Sequence, residues 1–268
     1  MDFEMLIDSH CHLDFNSFDE DRLETIQRAF KTNVILLVTI CTHFSKFKEI
    51  LSIAESDPRI FCSVGIHPHQ VEEEDPISVE KLVNAASHPK VIGIGETGLD
   101  YYYETSPRAL QETSFRDHIA AARITQLPLI VHTRNADTKM AKILKEESKK
   151  GSFPCVLHCF ASGKELATVA IDLGFYISLS GILTFKNAND LREIIRDIPL
   201  DRILLETDSP YLAPVPERGK RNEPSFIIHT AKKAADIKNL DHHTFFEITT
   251  NNFFRLFSKA YSKEFNSQ

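Results

Sequence analysis

The stretch Ile7-Asp8-Ser9-His10-Cys11-His12-Leu13 follows an apolar run, Met5 to Ile7, which Asp8, Ser9 and His10 then interrupt. It reads as a short strand that ends in a site. Residues two apart on an extended backbone share a face, so His10 and His12 aim their imidazoles the same way. Paired imidazoles at a strand end suit a divalent metal ion, although two polar residues on a solvated strand would show the same spacing. What decides between the two is whether the pattern returns later in the chain.

It does return. Apolar, β-branched runs recur at Met5–Ile7, Val34–Ile40, Ile60–Val64, Val91–Ile94, Leu129–Val131, Cys155–Leu157, Phe175–Leu179 and Ile203–Leu205, eight in all. Continuous runs of this kind mark parallel strands buried on both faces. Between them apolar residues fall at helical spacing, as at Leu166, Val169, Ala170 and Leu173, or Leu191, Ile194, Ile195 and Ile198. The pattern predicts an α/β fold, a single (β/α)8 TIM-type barrel over residues 1–261 with a C-terminal capping helix around His242–Phe257 and a frayed tail at 262–268. A doubly wound open sheet is the competitor, but no Gly-x-Gly-x-x-Gly follows the first strand. The length of 268 residues fits one barrel, and 42% hydrophobic residues can fill its core. The Glu72–Asp75 run reads as a solvated loop, and a Pro-rich loop, Pro210 to Pro224, precedes a helix expected from about Ser225.

The formal net charge of −7 gives no global basic character, so any attraction for a polyanion has to be local. Apolar runs are strand-length, which predicts no membrane association. Five cysteines, odd in number and without Cys-x-x-Cys pairs, read as reduced thiols. With an acidic N-terminus that enters a strand at once, the expected location is cytoplasmic, and no obligate protein partner is evident.

The strand ends then share one chemistry. The first ends in His10 and His12, the third in Gly65-Ile66-His67-Pro68-His69, the fourth in Gly95-Glu96, the fifth in His132, the sixth in His158 and the eighth in Glu206-Thr207-Asp208. Polar groups at the carboxyl ends of barrel strands converge on one face. The set His10, His12, Glu96, His132, His158 and Asp208 is too large for one tetrahedral catalytic zinc; it suits two divalent ions, about 3.5–4 Å apart, sharing a carboxylate, for which Glu96 is the natural bridge. Mixed nitrogen and oxygen ligands favour bound zinc or manganese, with magnesium able to support activity.

These motifs resemble the TatD-like metal-dependent deoxyribonucleases, an amidohydrolase-type barrel family. The resemblance covers almost the whole chain. It rests on Asp8-Ser9-His10-Cys11-His12, Gly65 to His69, Gly93-Ile94-Gly95-Glu96-Thr97-Gly98-Leu99-Asp100-Tyr101, Leu129 to Arg134, His158-Cys159-Phe160, Glu206 to Pro214, Arg218 to Pro224 and Asn252 to Phe257. It implies the six ligands already named and hydrolysis of nucleic-acid phosphodiesters, with 3′–5′ exonuclease action on single-stranded DNA and RNA as a second candidate substrate. Two departures stand out. The helix after the fourth strand has Gln111 but His118 where the family has a second glutamine, and the sixth-strand turn reads His-Cys-Phe-Ala-Ser-Gly.

On this reading one ion rests on His10, His12 and Asp208, and the other on His132 and His158, with Glu96 between them. A water shared by the two ions would lose a proton near neutral pH and attack phosphorus. Asp208 and Glu96 are the catalytic carboxylates, Asp208 orienting or deprotonating the water, and Glu206 supports the site from behind. His67 and Arg134 are candidates for the substrate phosphate; a turn residue before Pro68 and a helix ion pair are the competing readings. One of Tyr101, Tyr102 and Tyr103 is expected to stack on a base. Lys220 and Arg221, with Arg218, should overhang the mouth beside Asp208. The same ligands also fit a hydrolase of a small amide or aminoacyl ester, against which the Arg-Gly-Lys-Arg run favours a polyanion. A scaffold that had lost catalysis should lack at least one ligand, and all six are present.

Overall fold

A computed structural model describes residues 5–261. Eight strands lie in sequence order in one parallel sheet: β1 (Leu6–Cys11), β2 (Val34–Thr39), β3 (Ile60–Val64), β4 (Val91–Asp100), β5 (Leu129–Arg134), β6 (Cys155–Leu157), β7 (Tyr176–Leu179) and β8 (Ile203–Leu205). A doubly wound sheet would reverse that order midway, so the barrel reading holds. The helices α1 (Arg22–Lys31), α2 (Phe47–Glu55), α3 (Val79–Ala86), α4 (Arg108–Thr125), α5 (Asp137–Ser148), α6 (Lys164–Asp172), α7 (Asn189–Asp197) and α8 (Ile227–Lys238) each follow the strand of the same number, and α9 (His242–Leu256) comes last. The expected fraying of 262–268 lies outside the described residues.

The pleat divides the strand residues between two cores. Leu36, Val38 and Ile40 join Ile7, Ile92, Ile130, Val156 and Leu204 inside the barrel, whereas Leu37 faces the helices with Leu6, Val64 and Ile94. The ninth helix closes the amino-terminal end as expected: its Phe253 and the following Phe257 belong to the inner cluster. A Cβ at Gly93 would come within 3.4 Å of Phe257, so the plug reaches the barrel wall.

The last seam of the barrel is made differently from the other seven. No regular ladder joins β8 to β1; instead His12 N–H donates to Ser209 O at 2.8 Å and Asp208 N–H to His10 O at 2.9 Å. Asp8 completes the join, accepting from Thr207 N at 2.9 Å and bonding Thr207 Oγ1 at 2.5 Å. Burial pushes the Asp8 carboxyl up to about 8 in spite of these bonds. The seam therefore holds His10, His12 and Asp208 side by side.

Two strands run further than their apolar stretches. β1 continues through Asp8 to Cys11 and β4 through Glu96 to Asp100, because their polar side chains find buried partners on other strands. Gly95 (φ +133°) and Gly98 (φ +140°) permit this in β4: a Cβ would stand 2.6 Å from Ile130 O at the first and 2.0 Å from His132 O at the second. Bulk at either position would push β5, and His132 with it, away from β4.

Candidate metal centre

Glu96 lies at the centre of the carboxyl-terminal face, 2% exposed, and its two oxygens look at different partners. Oε2 is 3.4 Å from His10 Nε2 and 3.9 Å from His12 Nε2, and Asp208 Oδ1 stands 3.3 Å from His12 Nε2. Oε1 is 2.7 Å from His158 Nε2, 3.2 Å from His132 Nδ1 and 3.4 Å from His67 Nε2. All six residues expected as ligands are thus brought together, His10 and His12 toward Oε2 and His132 and His158 toward Oε1. His10 and His158 also stack, ring centroids 3.9 Å apart and nearly parallel.

Electrostatics follow from crowding charges out of water. Burial opposes ionisation of Glu96, but the imidazoles of His158, His67 and His10 outweigh it and hold its carboxyl well below the usual range. Asp208 is lowered in the same way, its burial outweighed by His12 and His10. Burial, with His158 alongside, lowers His10, and burial brings His67 down to about 4. In His12, His132 and His158 the neighbouring carboxylates outweigh burial and raise the basicity. Proton competition of this strength is what a cation would relieve.

The residues present fit divalent ions. His10, His12 and Glu96 bring one ligand atom each within 4.8 Å of one another, as do Glu96, His132 and His158. His158 Nε2 is buried against Glu96 Oε1 at 2.7 Å, so both atoms are turned toward the space a cation would take. Glu206, fully buried, approaches the other nitrogen of that ring at 3.4 Å, and its carboxylate lies within 4.8 Å of ligand atoms of His10 and His158. His67 differs from the six. Its Nδ1 accepts the His69 N–H at 3.1 Å, so the neutral ring carries its proton on Nε2 and offers the centre a donor instead of a lone pair.

The glutamine and the histidine of α4 both turn out to support the backbone. Gln111 Oε1 accepts from Asp100 N at 2.8 Å, and its amide donates to Ser106 O at 2.8 Å. His118 Nε2 accepts from Ile66 N at 3.0 Å while Nδ1 donates to Ser114 O at 2.7 Å. An imidazole here does what an amide could: it satisfies the backbone beside His67.

A cavity of 1330 Å³ opens over the centre, lined by His67, His69, Tyr103, Arg134, Lys142 and Tyr211 among others. Arg134 lies at its edge, its guanidinium 4.3 Å from the Tyr102 ring and 4.6 Å from that of Tyr103. Tyr102 and Tyr103 are exposed, whereas Tyr101 is held by Glu112 and Arg108. Phe15 stacks on His12 at 4.6 Å and meets Tyr211 edge-on, forming the opposite wall.

The cationic loop departs from expectation. Lys220 and Arg221 do not line the cavity. Lys220 Nζ pairs with Glu217 at 2.5 Å, and Arg221 bonds both oxygens of Asp21 at 2.7 Å. Arg218 lies over the Phe185 ring and donates to Ala213 O. These groups find partners of their own, Arg221 on Asp21 at the start of α1. Sequence reading also passed over Asp100 and His69, bonded to each other at 2.7 Å. The signal was there: Glu96, Gly98 and Asp100 alternate along β4, which sends both carboxylates to one side.

Comparison with known proteins fits this geometry. The pattern of the TatD related DNase family matches residues 7–258. The chain belongs to that family. It is 42% identical over 255 residues to YcfH of Escherichia coli K12, named an uncharacterized metal-dependent hydrolase, covering 94% of this chain and 95% of that one. It is 30% identical over 237 residues to the 3′-5′ ssDNA/RNA exonuclease TatD of Salmonella typhimurium, covering 86% and 90%. Among solved structures, the TatD homolog YJJV of E. coli K12 superposes with a TM-score of 0.88 at 28% identity, over 96% of this chain and 99% of that one. No helix among the described residues is long and apolar enough to cross a membrane.

Proposed function

We propose that this TatD-family protein is a metal-dependent nuclease that hydrolyses phosphodiester bonds of single-stranded DNA from the 3′ end, with RNA as a further substrate. The observation that carries the reading is the division of Glu96: one carboxylate, two oxygens, each facing its own set of imidazoles. That is the donor arrangement of a two-ion hydrolytic centre. His10, His12 and Asp208 would hold one divalent ion, His132 and His158 the other, with Glu96 common to both. Zinc or manganese suits the nitrogen-rich set, and magnesium can support turnover. When bound, such ions acidify water and offset the charge that develops on phosphoryl oxygens.

The chain's own groups do the rest. Asp208, ionised and at the rim of the centre, is placed to orient the attacking water and take its proton. Glu206 holds the His158 ring from behind. The Nε2–H of His67 faces Glu96 Oε1 at 3.4 Å on the cavity wall, where a phosphate oxygen would compete for it, and Arg134 and Lys142 at the cavity edge extend a positive path along a polynucleotide. Tyr103, exposed beside Arg134, offers a ring on which a base can stack. The direction of digestion rests on the activity named for the Salmonella relative. Cytoplasmic location is part of the proposal and rests on the cysteines, all five of them unpaired.

The test is digestion of end-labelled single-stranded DNA, duplex DNA and RNA by purified protein, with zinc, manganese or magnesium supplied in turn. Progressive shortening of 5′-labelled single strands from their 3′ ends, abolished by chelator, is the expected result. Metal-dependent hydrolysis of a small ester or amide, with every polynucleotide left intact, would overturn it.

A further inference from the structure

Asp100 is the most heavily bonded carboxylate near the centre, and the mechanism above does not use it. It is fully buried at the end of β4. Its Oδ1 accepts two backbone N–H groups, from Tyr102 at 2.9 Å and Tyr103 at 2.9 Å. Its Oδ2 faces two imidazoles, His69 Nε2 at 2.7 Å and His132 Nε2 at 3.1 Å. A carboxylate fixed by two backbone donors is an acceptor only, so both ring nitrogens that meet Oδ2 must carry hydrogens. His132 has one other nitrogen. That Nδ1 is 3.2 Å from Glu96 Oε1 and looks into the centre.

We propose that Asp100 is a positioning residue that sets the tautomer of His132, keeping the proton on Nε2 so that Nδ1 presents a lone pair to a divalent cation in the half of the site shared with His158. The inference rests on the metal-centre reading given above and extends it to a group outside the ligand set. A carboxylate behind a ligating imidazole fixes ring orientation and raises its basicity. Here one oxygen serves two rings, so His69 is clamped by the same group. Through Oδ1, Asp100 also pins the turn that carries Tyr102 and Tyr103, which ties the cavity wall to the ligand. Asp100 touches neither substrate nor ion; it acts through His132.

The geometry makes Asp100→Asn a sharp probe, because the side chain keeps its size. The backbone donors of Tyr102 and Tyr103 require the amide oxygen on their side, which turns the amide NH2 toward His69 and His132. A donor facing Nε2 drives the His132 proton to Nδ1, against Glu96, where it blocks a cation. The readout is 15N-histidine NMR of the metal-free protein, with the His132 resonances identified by their absence in His132→Gln, followed by Zn2+ titration against a chelating indicator. The expected result is a proton on His132 Nε2 in the native protein, and a ring protonated on Nδ1 alone in Asp100→Asn. Zn2+ affinity should fall by about 10–100-fold, the usual cost of losing such a supporting group. His69→Gln, which leaves the Asp100–His132 bond in place, should keep the native tautomer. An Nε2 that carries no proton in the native protein overturns the proposal whether or not the Asn variant folds. So does an unchanged tautomer or unchanged Zn2+ affinity in folded Asp100→Asn, or a flipped tautomer in His69→Gln. Neither readout involves nucleic acid, so failure of the nuclease reading would show separately, as native protein that binds Zn2+ yet cuts no polynucleotide.

Discussion

At the amino-terminal end of the barrel, Phe253 and Phe257 stack with centroids 4.7 Å apart against Ile7, Ile92 and Leu204. At the carboxyl-terminal end, His10, His12, His158, Glu96 and Glu206 are buried, with His132 and Asp208 partly so. Both ends are buried, yet burial has opposite consequences. Apolar rings removed from water stabilise the fold, about 25 cal/mol per Å². Charged and polar groups removed from water destabilise it unless something compensates. The floor therefore supplies stability and the mouth spends it on a preorganised centre, a division in keeping with barrel enzymes generally.

The contrast between floor and mouth is most open to attack at Glu96. Glu96→Ala removes the group common to both halves, so ion binding should weaken on both sides together. Hydrolysis should fall at least to the far end of the about 10²–10⁴-fold range of a single lost acid–base group. The apolar floor should keep the thermal midpoint of the metal-free protein close to native. His158→Ala, by contrast, should weaken one half. Metal analysis after dialysis, with turnover measured alongside, checks this; full occupancy and unchanged turnover in Glu96→Ala would sink the shared carboxylate.

Phe253→Ala should do the reverse. Deleting a fully buried aromatic side chain costs about 3–5 kcal/mol, read as a lower denaturant midpoint. The folded protein should still turn over at nearly the native rate at low temperature. A large drop in kcat with little loss of stability would mean that the floor and the mouth are coupled through the strands.

Asp208→Asn sharpens the mouth alone. Size is retained and charge is lost, so the rate should fall by more than about 100-fold, or about 2.7 kcal/mol of barrier, with single-stranded DNA still bound. Hydrolysis near the native rate at pH 7 would exclude Asp208 as ligand and as base.

The same contrast explains what was legible in the sequence. The floor and walls follow from alternation and helical spacing, which are local, so eight strands and the capping helix could be read directly. The six candidate ligands were legible because barrel topology carries every strand end to one face, whatever its distance along the chain. Strand ends were less so: apolar runs stop at Ile7 and Ile94, while pairing continues to Cys11 and Asp100 because buried partners sustain it. Asp100 and His69 were passed over because their bond spans 31 residues, so alternation along β4 gave the face of Asp100 but not its partner. Arg221 was misplaced for a related reason. Its partner Asp21 is 200 residues away, and a charge in a loop goes to whichever opposite charge the fold delivers.

That loop provides the smallest expected effect. Arg221 bonds Asp21, Asp21 also accepts from Arg28 at 3.0 Å, and Arg28 reaches Glu223 at 2.6 Å, so the chain of ion pairs ties the loop after β8 to α1. The groups are only partly buried, and pairs of this kind contribute about 0–1 kcal/mol. Lys220→Ala with Arg221→Ala should therefore lower stability by no more than that and leave the kinetics nearly native. Its salt dependence is the decisive reading. Removing one cation that neutralises a phosphate of a single strand flattens the slope of log affinity against log salt by about 0.7. The double variant should keep the native slope, whereas Arg134→Ala with Lys142→Ala, at the cavity edge, should flatten it by about 1.4. If instead the loop variant flattens the slope and the cavity-edge variant does not, the strand runs out over α1 and the positive path lies on the other side of the mouth.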